Sequence, residues 1–316
     1  MLAYLIRRIL YLIPVLFVLT LVVFTFVQLL PGDIIDTMIG EEDVEDPEVR
    51  AALEKEFGLD QPVYVQYGKW LGKAVQFEFG KSLITRRPVT QELLEGIPAT
   101  VYLAVVGIGL SMLIAIPLGT LAAVRRNTPT DYAAQVSSLA GISIPEFWFA
   151  IMCVLVFSLY LGWLPSSGYI SPFVDFKQSL IFLILPAIAV GFRQAAFTTR
   201  LTRSSMLDEM NKEYVDTARS LGFRERKVVY KYTLRNAMIP TLTISGLQLA
   251  GLLGGTVVLK AIFAWPSVGR VIYEAIIQRD YPMIQSGVLV LGVFVVLTNL
   301  VVDVAYRFLN PRVELN

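Results

Sequence analysis

The chain has 316 residues, 55% of them hydrophobic and 17% charged, with a mean hydropathy of +0.61. That is too apolar for a soluble domain of this length and leaves an all-α, multi-span membrane protein as the expected class. There is no histidine and one cysteine, Cys153, which excludes intrachain disulfides, Cys/His metal sites and Ser-His or Cys-His nucleophile pairs.

In chain order, the first candidate span is Ile9 to Leu30, uncharged and preceded by Arg7 and Arg8. It exceeds a signal-peptide core, and Pro31, Gly32 and Asp33 follow it in place of a small-residue cleavage site. We therefore expect a retained anchor with its amino end inside. The segment from Pro31 to Gly96 carries fourteen acidic and seven basic residues. Its cluster Glu41, Glu42, Asp43, Glu45 and Asp46 reads as a solvated external surface or a contact for a partner. Pro47 to Phe57 reads as a short helix, with Asp46 as cap and Gly58 past its end. Tyr64, Tyr67, Trp70, Phe77 and Phe79 either pack this lobe, the preferred reading, or lie at the lipid interface. Gly80-Lys81-Ser82 resembles the end of a phosphate loop, but position 75 is Val where the first glycine belongs, so nucleotide binding is rejected.

Five more candidate spans follow: Pro98 to Val124, Gln135 to Leu161, Ser179 to Thr199, Ala237 to Ile262 and Gln285 to Tyr306. Each is long enough for a hydrocarbon core of about 30 Å, which takes roughly 20 helical residues. Six spans put both termini on one side. Arg7, Arg8, Arg125, Arg126, the basic run from Arg193 to Arg235, Arg307 and Arg312 all fall on that face, which is therefore expected to be cytoplasmic.

Within the spans, Ala115, Gly119 and Ala123, and again Gly251 and Gly255, repeat at four-residue spacing, a pattern that lets helix backbones approach closely in lipid. Pro117 and Pro145 would kink their helices unless they lie near an end. Glu146, Arg193 and Asp303 are the clearest ionisable residues at membrane depth. Each costs roughly 2.5 to 3.5 kcal/mol if it faces lipid at the centre, so each should face protein or water, as pathway lining or as a structural pair.

From Glu213 to Pro240 a basic amphipathic stretch interrupts the apolar pattern. Tyr214, Ala218 and Leu221 fall at i, i+4 and i+7 of a short helix ending at Gly222, which permits a sharp turn. A second helix from about Arg224 places Val228, Val229 and Tyr232 on one face, and Pro240 sits in the first turn of the next span or at a kink in it. Small Ala218 and Gly222 would let another protein approach the backbone, with Arg219, Arg224, Arg226 and Lys227 as a positive rim. The alternative is a basic loop lying on anionic lipid.

Asp216, Thr217, Ala218 and then Gly222 resemble the signature loop of ABC-importer permease subunits, and EYVDTARSLG followed by LRNAMIP looks like the dipeptide and oligopeptide branch. Thr217 replaces the commoner alanine, and the closing Pro240 comes later than in the general pattern. PGD at Pro31 to Asp33, FGLDQP from Phe57, QYGKWL from Gln66, IPATVYL from Ile97, SIPEFWF from Ser143, GWLPSSGY from Gly162, FAWPSVGR and RDYP between Phe263 and Pro282, and the tail NPRVEL extend the resemblance over nearly the whole chain. Phe77-Glu78 stands where relatives often have Gly-Asp.

The resemblance implies a type I ABC importer transmembrane fold of six helices with both termini cytoplasmic, in the inner or plasma membrane of a prokaryote. It divides the chain into an N-terminal segment and first helix (1–30), an extracytoplasmic lobe (31–96) and a core permease domain (97–316) with a cytoplasmic coupling loop at 200–236. It implies that Glu213, Tyr214, Asp216, Thr217, Ala218, Leu221 and Gly222 couple to an ATPase. The implied partners are a second homologous permease, two ATPase subunits that hold ATP and Mg, an extracytoplasmic substrate-binding protein and a peptide cargo. This chain itself would carry no cofactor and hydrolyse nothing, and nucleic acid has no part. The same architecture also serves nickel, glutathione and oligosaccharides. An autonomous channel or proton-coupled carrier would need a proton relay or an internal repeat, and a membrane-embedded enzyme a nucleophile or metal constellation; the sequence offers none of these.

Overall fold

The structure is a computed structural model and describes residues 2–29, 60–255 and 257–309. The expected helix from Pro47 to Phe57, the acidic cluster before it, the Pro31 to Asp33 segment and the NPRVEL tail lie outside these residues. Among the described residues five helices are long and apolar enough to cross a membrane, and a sharply bent helix pair makes a sixth span if counted as one, in agreement with the six read from the sequence.

The chain divides into two compact units. The first comprises residues 1–98 and 266–294. It contains α1 (Leu2–Gln28), α2 (Val63–Val75), the start of α3 (Val89–Val124), α11 (Val268–Ile277) and the first half of α12 (Tyr281–Leu309). Helix α1 exposes Leu10, Ile13, Phe17, Val22 and Phe26, the apolar exterior that a lipid solvent permits. Tyr67 and Trp70 of α2 pack on it: the Tyr67 hydroxyl lies 2.9 Å from Thr20 Oγ1, and Phe24 meets the two rings at 5.4 and 5.8 Å. Tyr67 and Trp70 thus pack, but on the first helix and not within the segment 31–96; Phe79 packs on the core of this unit, and Tyr64 and Phe77 stay exposed. Phe77 adopts φ +59°, a left-handed geometry natural to glycine. The Gly80-Lys81-Ser82 run forms an isolated bridge with Pro88, and the Ser82 hydroxyl donates to buried Asp280 at 2.5 Å. Val89, Leu93, Val268, Ile272, Met283 and Ile284 form the core of this unit.

The second unit comprises residues 99–265 and 295–316. Besides the remainder of α3 and α12 it holds α4 (Pro129–Ser143), α5 (Glu146–Cys153) running into a wide π turn (Val154–Tyr160), α6 (Phe176–Met210), α7 (Glu213–Ser220), α8 (Glu225–Lys227) with its own π turn (Val228–Thr233), α9 (Leu234–Gly255) and α10 (Val257–Ile262). The expected third span is broken, because α4 and α5 meet at 99°. Pro145 explains the break, since the residue before a proline is driven out of helical geometry, and Ile144 is extended at φ −73°, ψ 127°. Helix α3 continues through Pro117, and Pro240 lies inside α9, beyond its first turn.

Helix α6 lies at the centre of this unit, packed by α4, α5 and α9. The Ala115, Gly119, Ala123 stripe makes the close approach expected of it. A Cβ on Gly119 would fall 2.7 Å from the Thr199 carbonyl and from Thr202 Cβ. In the second small-residue pair, Gly251 does not behave the same way among the described residues. Gly251 is open, with nothing within 4 Å, and it is Gly246, one and a half turns earlier, that takes Val302 against its backbone. Near the opposite end of the unit, the Trp265 indole N–H donates to the Ala99 carbonyl at 2.9 Å, Tyr169 meets the indole edge-on, and the Gly168 N–H donates to the Phe263 carbonyl. Three of the resembling segments, from Ile97, Gly162 and Phe263, therefore meet in space.

Candidate coupling hairpin and intramembrane charges

Helix α7 begins at Glu213, as the spacing predicts, and stops in a Schellman cap. The Gly222 N–H bonds the Arg219 carbonyl at 2.9 Å and the Phe223 N–H bonds the Ala218 carbonyl at 3.3 Å, with Gly222 left-handed at φ +75°. The cap folds Phe223 back, and Val215, Ala218 and Val228 close into a small core with Phe223 and Tyr232. This shifts the buried stripe from the expected one. Val215 and Ala218 face inward at 0% and 5% exposure, while Leu221 points out at 69%. Ala218 is thus covered by this chain's own side chains, and of the two small residues only Gly222 leaves its backbone open to an approaching surface.

Polar contacts fix the hairpin at both ends. The Tyr214 hydroxyl donates to Glu209 Oε2 at 2.6 Å and accepts from Asn236 Nδ2 at 3.0 Å, tying α7 to α6 and α9. Burial, together with the Glu209 carboxylate, pushes the Tyr214 hydroxyl up to about 12. Arg219 bridges Asp216 at 3.3 Å and Glu225 at 3.1 Å across the turn, and the Thr217 hydroxyl bonds the Glu213 carbonyl. The outer face then presents Glu213, Asp216, Thr217, Ser220 and Leu221. Behind it, Val229 of the π turn packs with Ala123 of α3, Met206 of α6 and Ala237 of α9, so the hairpin is seated on the ends of three long helices.

The structure also brings together two of the three intramembrane charges. Glu146 opens α5 at the break, and Arg193 lies on α6, the helix against which α5 packs. Phe149 and Phe192 stack at 3.9 Å beside them and tie the two helices together. Glu146 Oε1 is buried with no hydrogen-bond partner among the described residues. Asp303 lies on α12, and its side chain is outside the described residues.

A closed ion pair, Asp131 with Arg203, escaped the reading of the sequence. Asp131 is fully buried and takes two bonds from Arg203, at 2.5 and 2.8 Å, while the Asn127 N–H and Gln135 bond the same carboxylate. The only sequence signal was an acid at a helix first turn, and its partner lies 72 residues away. Among the described residues no group of three or more His, Cys, Asp or Glu is placed to hold a metal.

Residues 115–315 match the family model described as binding-protein-dependent transport system inner membrane component, and residues 1–104 match the model for the N-terminal part of such membrane components. A dipeptide transport system permease protein of Alkalihalophilus pseudofirmus is 39% identical, covering 99% of this chain and 100% of the relative. An oligopeptide transport system permease protein of Bacillus subtilis is also 39% identical over the same shares. A glutathione transport system permease protein of Escherichia coli is 39% identical over 99% of both chains. Among solved structures, a chain of the MetNI methionine ABC transporter in an inward-facing conformation matches with a TM-score of 0.57 at 19% identity, covering 70% of this chain and 97% of that one. This likeness carries the type I importer fold.

Proposed function

We propose that this chain, which belongs to the family of binding-protein-dependent transport system inner membrane components, forms half of a translocation pathway for di- and oligopeptides. It is a multi-pass permease subunit of an ABC importer. In the proposed reading both termini are cytoplasmic, residues 31–96 form the extracytoplasmic lobe, and residues 97–316 form the permease core. A second permease completes the pathway, an extracytoplasmic binding protein delivers the cargo, and two separate ATPase subunits bind ATP and Mg. The names of the relatives support a peptide cargo.

The observation that carries the coupling role is the seating of the α7–α8 hairpin. Its outer residues Glu213, Asp216, Thr217, Leu221 and Gly222 face away from the chain, Tyr214, read from the sequence as part of the same surface, turns its hydroxyl inward to Glu209 and Asn236, and the inner residues grip α3, α6 and α9 through Val229. A force applied to the outer face therefore reaches three long helices through packed side chains, which shift between discrete arrangements and do not deform continuously. Ala218, read from the sequence as part of the same surface, serves from inside by holding the cap. Glu146 and Arg193 line the pathway at the helix break, the kind of discontinuity that carries substrate sites in transporters.

The test is uptake of a labelled dipeptide into proteoliposomes that hold the assembled complex, with the binding protein outside and ATP at the ATPase face. Uptake that needs both ATP and the binding protein supports the reading. Uptake without the ATPase subunits contradicts it.

A further inference from the structure

Helix α6 carries one continuous exposed stripe on its second half: Arg193, Phe197, Arg200, Ser204 and Asp208, spaced at i, i+4, i+7, i+11 and i+15. Between Ser179 and Arg193 the exposed positions of the same helix, Leu180 and Ile184, are apolar, and Leu185, Pro186, Ala187, Ala189, Val190 and Gly191 are buried. Arg193 therefore marks the point at which the exposed side of the helix turns from apolar to mostly polar, and that face leads to the end of the helix joined to the coupling hairpin.

An arginine exposed from the chain at this depth does not face lipid without cost. Nor is escape to the near interface favoured: the Cα–Cβ bond of a helical residue tilts toward the helix N-terminus, which on the proposed topology points away from the cytoplasm. Among the described residues the guanidinium has no hydrogen-bonded partner, and on the helix packed against α6 the buried Oε1 of Glu146 is likewise unbonded. The buried ion pair of this unit, Asp131 with Arg203, is closed by two short bonds and further donors. The Arg193 and Glu146 pair is left open beside a helix break.

We infer that Arg193 receives the carboxylate of the cargo inside the span, with Glu146 as its counter-charge when cargo is absent. The inference rests on the peptide reading, since every unmodified peptide ends in a carboxylate. A guanidinium matches that group with two parallel donors. Arg200, two turns along the stripe, offers the next cation toward the cytoplasmic end.

The experiment compares ATP-driven uptake of a labelled dipeptide and of its C-terminal amide, each loaded on the same binding protein, by proteoliposomes holding the wild-type complex, Arg193→Gln or Arg193→Lys. Because the binding protein is common to all, its own preference cancels when the carboxylate-to-amide ratio is compared between complexes. Arg193→Gln is expected to lower that ratio about tenfold, the scale of one charge-assisted hydrogen bond, and Arg193→Lys, which keeps the charge and loses the fork, to lower it less. A ratio unchanged in both variants, with the two ligands affected equally, would assign Arg193 a structural or subunit-pairing role and overturn the inference. A wild-type complex that takes up neither ligand would overturn the peptide reading itself, and the inference with it.

Discussion

Gly222 stands at φ +75° with open space where a Cβ would be built, so a substitution there meets a conformational penalty and no clash. Gly222→Val should cost about 1 to 2 kcal/mol locally and leave ATP hydrolysis running without uptake, whereas Gly222→Asn, which tolerates left-handed geometry, should stay coupled. Measuring both rates in one reconstituted complex checks this, and unchanged uptake with Val would remove the coupling role. Asp131 and Arg203 make a different case. Removing one partner strands the other, and Arg203→Met should destabilise the complex by about 3 to 5 kcal/mol, read as a lowered midpoint of thermal unfolding in detergent. The glycine was legible in the sequence because a turn between two amphipathic runs requires one. The ion pair was not, since its two halves come together only through the packing of α4 on α6.

At the scale of the element, the α7–α8 hairpin was legible in its existence and its bounds, but not in its facing. Periodicity alone allowed a stripe through Tyr214, Ala218 and Leu221. The Schellman cap selects Val215 and Ala218 by folding Phe223 onto them, which leaves Leu221 outside. The Tyr214 hydroxyl is part of this closure. With its value raised above that of the unfolded chain, its contribution is fully present below pH 10 and is lost as pH rises through about 12, so coupling should show no Tyr214-dependent change between pH 6 and 9. Tyr214→Phe should nevertheless loosen the hairpin, seen as faster amide exchange in α7, because Glu209 and Asn236 lose their shared partner. In the long helices, Gly119 joins α3 to α6 at backbone contact. Gly119→Leu should push them apart and lower the yield of assembled complex, while Gly251→Ala, with nothing in this chain within 4 Å, should leave this chain's own packing intact.

For the whole molecule, apolar run length gave the number of spans, and the resembling motifs gave the fold and the family. What run length could not give was the 99° break between α4 and α5. An uninterrupted apolar pattern reads as one helix, and the break depends on a single proline and the extended residue before it. The break matters because it starts α5 at Glu146 and lets α5 pack on α6 through the stack of Phe149 on Phe192, the residue before Arg193. The central claim is that this chain works as the permease of an assembly powered from outside itself, through the hairpin at Glu213 to Gly222. The most direct measurement is affinity purification of the chain from its native membrane in mild detergent, with every co-purifying protein identified and ATP-driven uptake assayed on the product. The account predicts recovery of a second permease and two ATPase subunits in an assembly whose uptake stops without ATP; this chain recovered alone in an assembly that still transports would contradict it.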